Sequence, residues 1–341
     1  MTIRDGSYAI NYQYTPDQVA QIVGALDTAG VPWIEVGHGC GLGARENLQI
    51  PAAASDLEYV TAARNAVQHA KLGVLAGPAP PTRLADIDRV RDQLDFIRVA
   101  ANADHVRLAA PVVAYCRQRG LDVWFQMMRS VRRTPQQLLE AARTVEGLGA
   151  STVYIVDTAG AFEPGPLGDI VALLKAKLAL RVGFHGHNNL GLAIANTLAA
   201  VEAGADVVDA SIRGLGRGAG NTQLETLVVL LQRRGLVPEI HLAPVLRIAE
   251  AHAALFAAAA TGVGALDLLT AAARIDLYPM PFYARIADAL GIELPELITF
   301  FGNAVDGVEV GMPTIAAAVR HFGGDVDAVF TKLGIPRPEN A

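Results

Sequence analysis

Short apolar runs rich in Val and Ile alternate with longer segments of helical period from the first residues to about residue 235, and this alternation narrows the available folds most. The predicted strands are residues 2–5, 33–37, 72–75, 96–100, 123–127, 152–157, 182–187 and 207–211. An amphipathic segment follows each of the first seven. In residues 16–30, Thr15 can cap, Pro16 suits the first helical position because its missing N–H is not needed there, and Gly30 stops the helix. Residues 135–150 and 190–205 read in the same way. Strands separated by helices pair in parallel through right-handed crossovers, and unbroken apolar strands are buried on both faces. The fold expected is α/β, a TIM (β/α)8 barrel rather than an open doubly wound sheet. A barrel of roughly 250 residues leaves part of the 341-residue chain over. Beyond Gly235 only helical segments remain, so residues 1–235 are expected to form the barrel and 236–341 a C-terminal helical unit making a partner or dimer contact.

A formal net charge of −6 provides no basic surface for nucleic acid or anionic membranes. Cys40 and Cys116 show neither paired spacing nor the density of a disulfide scaffold, which fits a reducing cytoplasm. The start MTIRDG lacks the basic segment and apolar run of a signal peptide. The apolar stretch 253–269 is interrupted by Gly262, Gly264 and Asp267 and is too short and broken to span a bilayer.

Chemistry is expected at the C-terminal ends of barrel strands. Residues two apart on a strand share a face, so His185 and His187 can offer two imidazoles to one cavity. Asp5, at the end of the first predicted strand, supplies a carboxylate, and two imidazoles with one carboxylate form a common divalent-metal set. Beside a metal, the Arg4 guanidinium can hold the enolate oxygen formed from a 2-oxo acid. Thr158 can donate to a substrate carboxylate or cap the next helix. The glycine-rich run 214–221 does not match a nucleotide-binding loop and reads as close backbone packing.

The ordered motifs RDG, IEVGHG, VDTAGA, HGHNNLGLA and VDASIRGLGRGAGN resemble those of the DRE-TIM metallolyase superfamily, which includes 3-hydroxy-3-methylglutaryl-CoA lyases, isopropylmalate synthases and homocitrate synthases. RDGSYAINYQYT, IEVGHGCGL and the C-terminal helices most resemble the 4-hydroxy-2-oxovalerate aldolases. The resemblance implies that Asp5, His185 and His187 bind a divalent ion, Mn2+ ahead of Mg2+ or Co2+. Arg4 would stabilise a pyruvate enolate, and Thr158 would stand near the substrate carboxylate. A base would take the C4 hydroxyl proton of a 4-hydroxy-2-oxo acid, the C3–C4 bond would break, and an aldehyde and pyruvate would result.

Tyr8 departs from the pattern, because the aldolases place a histidine base two residues after the glycine of RDG. A phenol with an ordinary pKa of about 10 is a poor base at neutral pH. Tyr8 would then act through a water, or His38 would take over. The family's C-terminal tyrosine has candidate counterparts near Leu277, Tyr278 and Tyr283. The resemblance also implies an acylating aldehyde dehydrogenase as partner, and the C-terminal helical unit carries the expectation of a homodimer or hetero-oligomer. The alternatives are a Claisen-type synthase joining an acyl-CoA to a 2-oxo acid, or a catalytically silent barrel that partners an aldehyde dehydrogenase.

Overall fold

The computed structural model describes residues 1–77, 81–257, 262–276, 280–304 and 310–335. Seven strands form one parallel sheet in sequential order: β1 Trp33–Val36, β2 Lys71–Ala76, β3 Phe96–Asn102, β4 Asp122–Met128, β5 Thr152–Asp157, β6 Arg181–Gly186 and β7 Val207–Val208. Helices pack outside the curled sheet between successive strands, among them Asp56–Ala66, Pro135–Leu148, Pro164–Lys177 and Ala193–Glu202. This is the α/β arrangement of a TIM barrel with a helical C-terminal region.

The helix signals act as the sequence implies. Pro16–Thr28 begins with a reciprocal bond pair between Thr15 and Gln18, and Pro135–Leu148 with the same pair between Thr134 and Gln137. Each such cap contributes about 1 kcal/mol by satisfying N–H groups at the helix start. Gly149 ends the second helix at φ 87°, a conformation that an L side chain resists.

The first predicted strand is absent. At residues 2–5 the backbone makes turns, with the amides of Asp5 and Gly6 both donating to the Met1 carbonyl, and a 3-10 helix follows over Asp5–Ile10. Those local bonds occupy groups that a ladder would require, and a four-residue run with Ile3 as its only buried aliphatic residue offers little side-chain burial to override them. The segment is nevertheless tied to both flanking parts of the barrel. Arg4 reaches Glu35 on β1, and the Ile212 amide beyond β7 donates to the Thr2 hydroxyl at 2.9 Å.

Strand alternation divides the side chains into two populations. Ile97, Val99, Val123, Phe125, Val153, Ile155, Val182 and Phe184 face outward into the main apolar core under the helices. The inward residues lie in layers. Phe96, Trp124 and Tyr154 form a stacked aromatic floor, with centroids 4.3 Å apart for Phe96–Trp124 and 6.2 Å for Trp124–Tyr154. Glycine on the neighbouring strands leaves space for this floor. A Cβ on Gly73 would lie 2.2 Å from the Phe96 ring. Above the floor Glu35, Arg98 and Gln126 form a buried polar layer, and the strand ends open above that layer.

The main core also takes in Ile240, Val245, Ala249 and Phe256, so packing against the barrel continues beyond residue 235. A second apolar core runs from Ile275 to Leu333 and contains Tyr283, whose ring lies 5.0 Å from Phe301. Leu277 and Tyr278 lie outside the described residues. Among the described residues, no helix is long and apolar enough to cross a membrane.

Candidate active site

Arg4, Asp5, Tyr8, Thr158, His185 and His187 line one cavity of about 550 Å³ at the C-terminal ends of the strands. Asp5 comes from the turn that replaces the first predicted strand. His185 lies at the end of β6, and His187 follows on the same face. One ligand atom from each of the three residues can be chosen so that all lie within 4.8 Å of one another, and all three side chains are buried.

The protonation states suit metal ligation. Burial pushes the His187 imidazole down to about 3, which leaves it neutral, and its buried Nδ1 has no hydrogen-bond partner. Burial would raise the Asp5 carboxyl, but Arg4 and the two histidines hold it well below the usual carboxylate range. His185 Nδ1 lies 3.0 Å from Asp209, which leaves Nε2 for the cavity. A carboxylate behind a histidine orients the ring and strengthens it as a donor. Two imidazoles, one carboxylate and an orphaned buried nitrogen therefore fit a divalent cation.

Arg4 donates from Nε to Glu35 at 3.0 Å and from Nη1 to Asp5 at 2.7 Å. Asn221, from the glycine-rich run, donates to the other Asp5 oxygen at 2.8 Å. Asp5 is thus held on two sides. The Thr158 hydroxyl oxygen accepts from the Arg129 amide at 2.8 Å, leaving its hydrogen to be donated into the cavity.

Tyr8 lines the same cavity, with its hydroxyl donating to Cys40 Sγ at 3.4 Å. Burial, reinforced by Cys40, holds this phenol well above its ordinary range, so it carries its proton at neutral pH. His38 does not line the cavity. It stacks on Tyr12 with centroids 4.3 Å apart and accepts the Cys40 amide at its Nδ1, while burial lowers it to about 4.

Sequence reading missed several residues around the cavity. Gln126 lines it, accepts Arg98 at Oε1 and has a buried Nε2 without a partner. Arg98 bridges Glu35 and Asp209, which supports His185 from below. Arg129, Arg217 and Asp276 also line the cavity. The available signal for Glu35, Arg98 and Gln126 is a polar residue with an apolar neighbour on either side in the strands WIEV, FIRVAAN and DVWFQMM. Asp276 has no comparable local signal.

A family model described as HMGL-like matches residues 1–251. A Mycobacterium tuberculosis protein named oxaloacetate decarboxylase is 46% identical over 241 residues, covering 71% of both chains. A Nocardia farcinica protein named 4-hydroxy-2-oxovalerate aldolase 2 is 42% identical over 249 residues, covering 73% of this chain and 72% of the relative. The carboxyl transferase domain of Rhizobium etli pyruvate carboxylase superposes with a TM-score of 0.76 at 19% identity, over 98% of this chain and 60% of that one, which shows a shared fold.

Proposed function

The chain belongs to the HMGL-like family, and on that premise we propose that it is a divalent-metal-dependent aldolase cleaving or forming the C3–C4 bond of a 4-hydroxy-2-oxo acid, with pyruvate and an aldehyde as products. The observation that carries this reading is the convergence of Asp5, His185 and His187 with Arg4 in one cavity. Those three residues would hold the ion, Mn2+ in this reading, and the bound ion would supply Lewis acidity to the 2-oxo group.

The chain's own residues provide the remainder. Arg4 is oriented by Glu35 and Asp5, so its outer N–H groups can donate to the enolate oxygen as charge develops there. Thr158 and the unpartnered Gln126 Nε2 are donors for the substrate carboxylate. Tyr8 keeps its proton and serves as a donor, suited to protonating the enolate carbon.

The state of Tyr8 favours a second reading, decarboxylation of a 2-oxo diacid to pyruvate. An ionised carboxylate leaves as CO2 without surrendering a proton, so this reaction needs no base. The name of the 46% identical relative supports it. The deciding experiment is pyruvate release from a panel of 4-hydroxy-2-oxo acids and oxaloacetate, with Mn2+ added or chelated. Metal-dependent release from the hydroxy acids supports the aldolase reading, and release from oxaloacetate alone replaces it with decarboxylation. Tyr8→His is expected to raise aldol cleavage on the order of 10²-fold by restoring a base with a pKa near neutrality. No gain, measured as kcat on the best hydroxy acid, would place the base elsewhere.

The reading extends to a cytoplasmic enzyme with a catalytic barrel at 1–235, onto which residues 236–256 pack as part of the same core, and a contact unit in the helices beyond, assembled as a homodimer or hetero-oligomer with an acylating aldehyde dehydrogenase. Light scattering of the purified protein, alone and with that dehydrogenase, tests the assembly.

A further inference from the structure

The curled sheet does not close on itself. Among the described residues the ladder runs from β1 to β7 in sequence order, so β1 and β7 each keep one edge without a strand partner. An unpaired edge is ordinarily guarded by charge, twisted away or covered. These two lie inside the fold, with Ile34, Glu35 and Val36 buried on β1 and Val207 buried on β7. One cavity runs between them. Trp33 and Glu35 line it from β1, Val207 and Asp209 from the β7 side, and Leu227 and Val228 of the helix Leu224–Gln232 from outside. On its inner side it reaches Arg98 and the aromatic floor.

Two further observations mark this slot as built to receive backbone. Glu35 Oε1, Arg98 Nε and the Tyr154 hydroxyl have no hydrogen-bond partner, although their residues line the slot and are only 3%, 2% and 0% exposed. Buried polar groups are normally paired, and three orphans around one cavity are unusual. The Met1 α-amino nitrogen is buried at the same place, and burial holds it below the usual range of an amine although Asp209 and Glu35 favour its charged form. Burying an ammonium is costly, whereas an amide nitrogen in a strand needs a single acceptor.

The chain also approaches the slot in the right direction. Thr2 is tied to Ile212 beyond β7 and Arg4 to Glu35 on β1, while Arg4 and Asp5 line the cavity at the C-terminal ends of the strands. Met1 lines the slot itself. Residues continuing back from Met1 along this line would descend between β1 and β7 toward their N-terminal ends. Read from N to C, such residues run parallel to both neighbours.

We propose that the slot seats an eighth parallel strand of about five residues, N-terminal to Met1 and continuous with it, which pairs with β1 and β7 and closes the barrel. Its outward side chains meet Leu227 and Val228 and its inward ones meet the aromatic floor, so both faces are buried and the segment is apolar throughout. The strand also bears on the site above it. It anchors the turn that carries Arg4 and Asp5 from below, and so holds Asp5 toward His185 and His187.

The test begins with the intact mass of the protein isolated from the cells that make it. A native N-terminus upstream of Met1 is expected, and one at Met1 or Thr2 overturns the inference. Independently, the 341-residue chain is compared with the same chain carrying an N-terminal extension of about six alternating valines and threonines, and with an equally long glycine and serine extension. The apolar extension is expected to raise the melting midpoint by about 5 °C. It should also slow amide exchange in Trp33–Val36 and Val207–Val208 by about tenfold or more, and the glycine and serine extension should do neither. Equal midpoints for the two extensions, or unchanged exchange in β1 and β7, overturn the inference. A free valine and threonine peptide that protects both strands as well as the tethered one overturns the continuity with Met1 and gives the slot to a strand from another chain.

Discussion

His185→Ala is expected to abolish metal-dependent pyruvate release, with a loss on the order of 10³-fold in kcat/KM. His185 connects the cavity to the layer beneath it: Nδ1 lies 3.0 Å from Asp209, and Asp209 accepts Arg98 at 2.6 Å. This support fixes the ring with Nε2 toward Asp5 and His187, so one substitution removes both a ligand atom and its orientation. Metal content per chain, measured by mass spectrometry after dialysis, should fall in parallel with activity. Circular dichroism should remain native, because the lost ring lies at the cavity wall. Full metal content and unchanged release in the variant would exclude His185 from the ligand set.

Arg98→Met is expected to have the largest effect on stability. The guanidinium is 2% exposed as a residue and donates to Glu35 at 3.3 Å, Gln126 at 2.7 Å and Asp209 at 2.6 Å, with the Tyr154 ring 4.4 Å below it. Burial would raise the Asp209 carboxyl, but Arg98 and His185 hold it well below its usual range. Removing the cation leaves Glu35 and Asp209 as buried acids with much of their compensation gone. Breaking a buried ion pair from one side costs about 3–5 kcal/mol. Native proteins are stable by only about 5–15 kcal/mol, so the variant should be insoluble or should melt many degrees lower. Thermal denaturation followed by circular dichroism measures this. A midpoint within about 2 °C of the native protein would mean that Arg98 is not a principal support of the barrel.

The features legible in the sequence are those encoded over a few residues. Thr15, Pro16 and Gln18 specify a helix start through bonds spanning three positions, and His185 and His187 share a face because strand side chains repeat every two residues. The alternation of apolar runs with helical segments likewise carried the barrel expectation, and the order of the motifs carried the family resemblance. Residues 2–5 mark the limit of that local code. Their place at the head of the strand–helix series suggested a strand, but a run this short does not decide between a ladder and turns. The interactions of Thr2, Arg4 and Asp5 with distant residues accompany turns.

Thus the sequence by itself determined the class of fold, because periodicity and short-range capping are physical consequences of neighbouring residues, and it offered Asp5, His185 and His187 as candidate ligands. Only the tertiary structure decided what surrounds them. Arg98 meets Asp209 across 111 positions, and Arg129 meets Asp276 across 147. The curled sheet and the returning C-terminal segment bring those charges together out of water. Burial then makes each charge depend on its partner, and this dependence sets protonation and directs donors into the cavity.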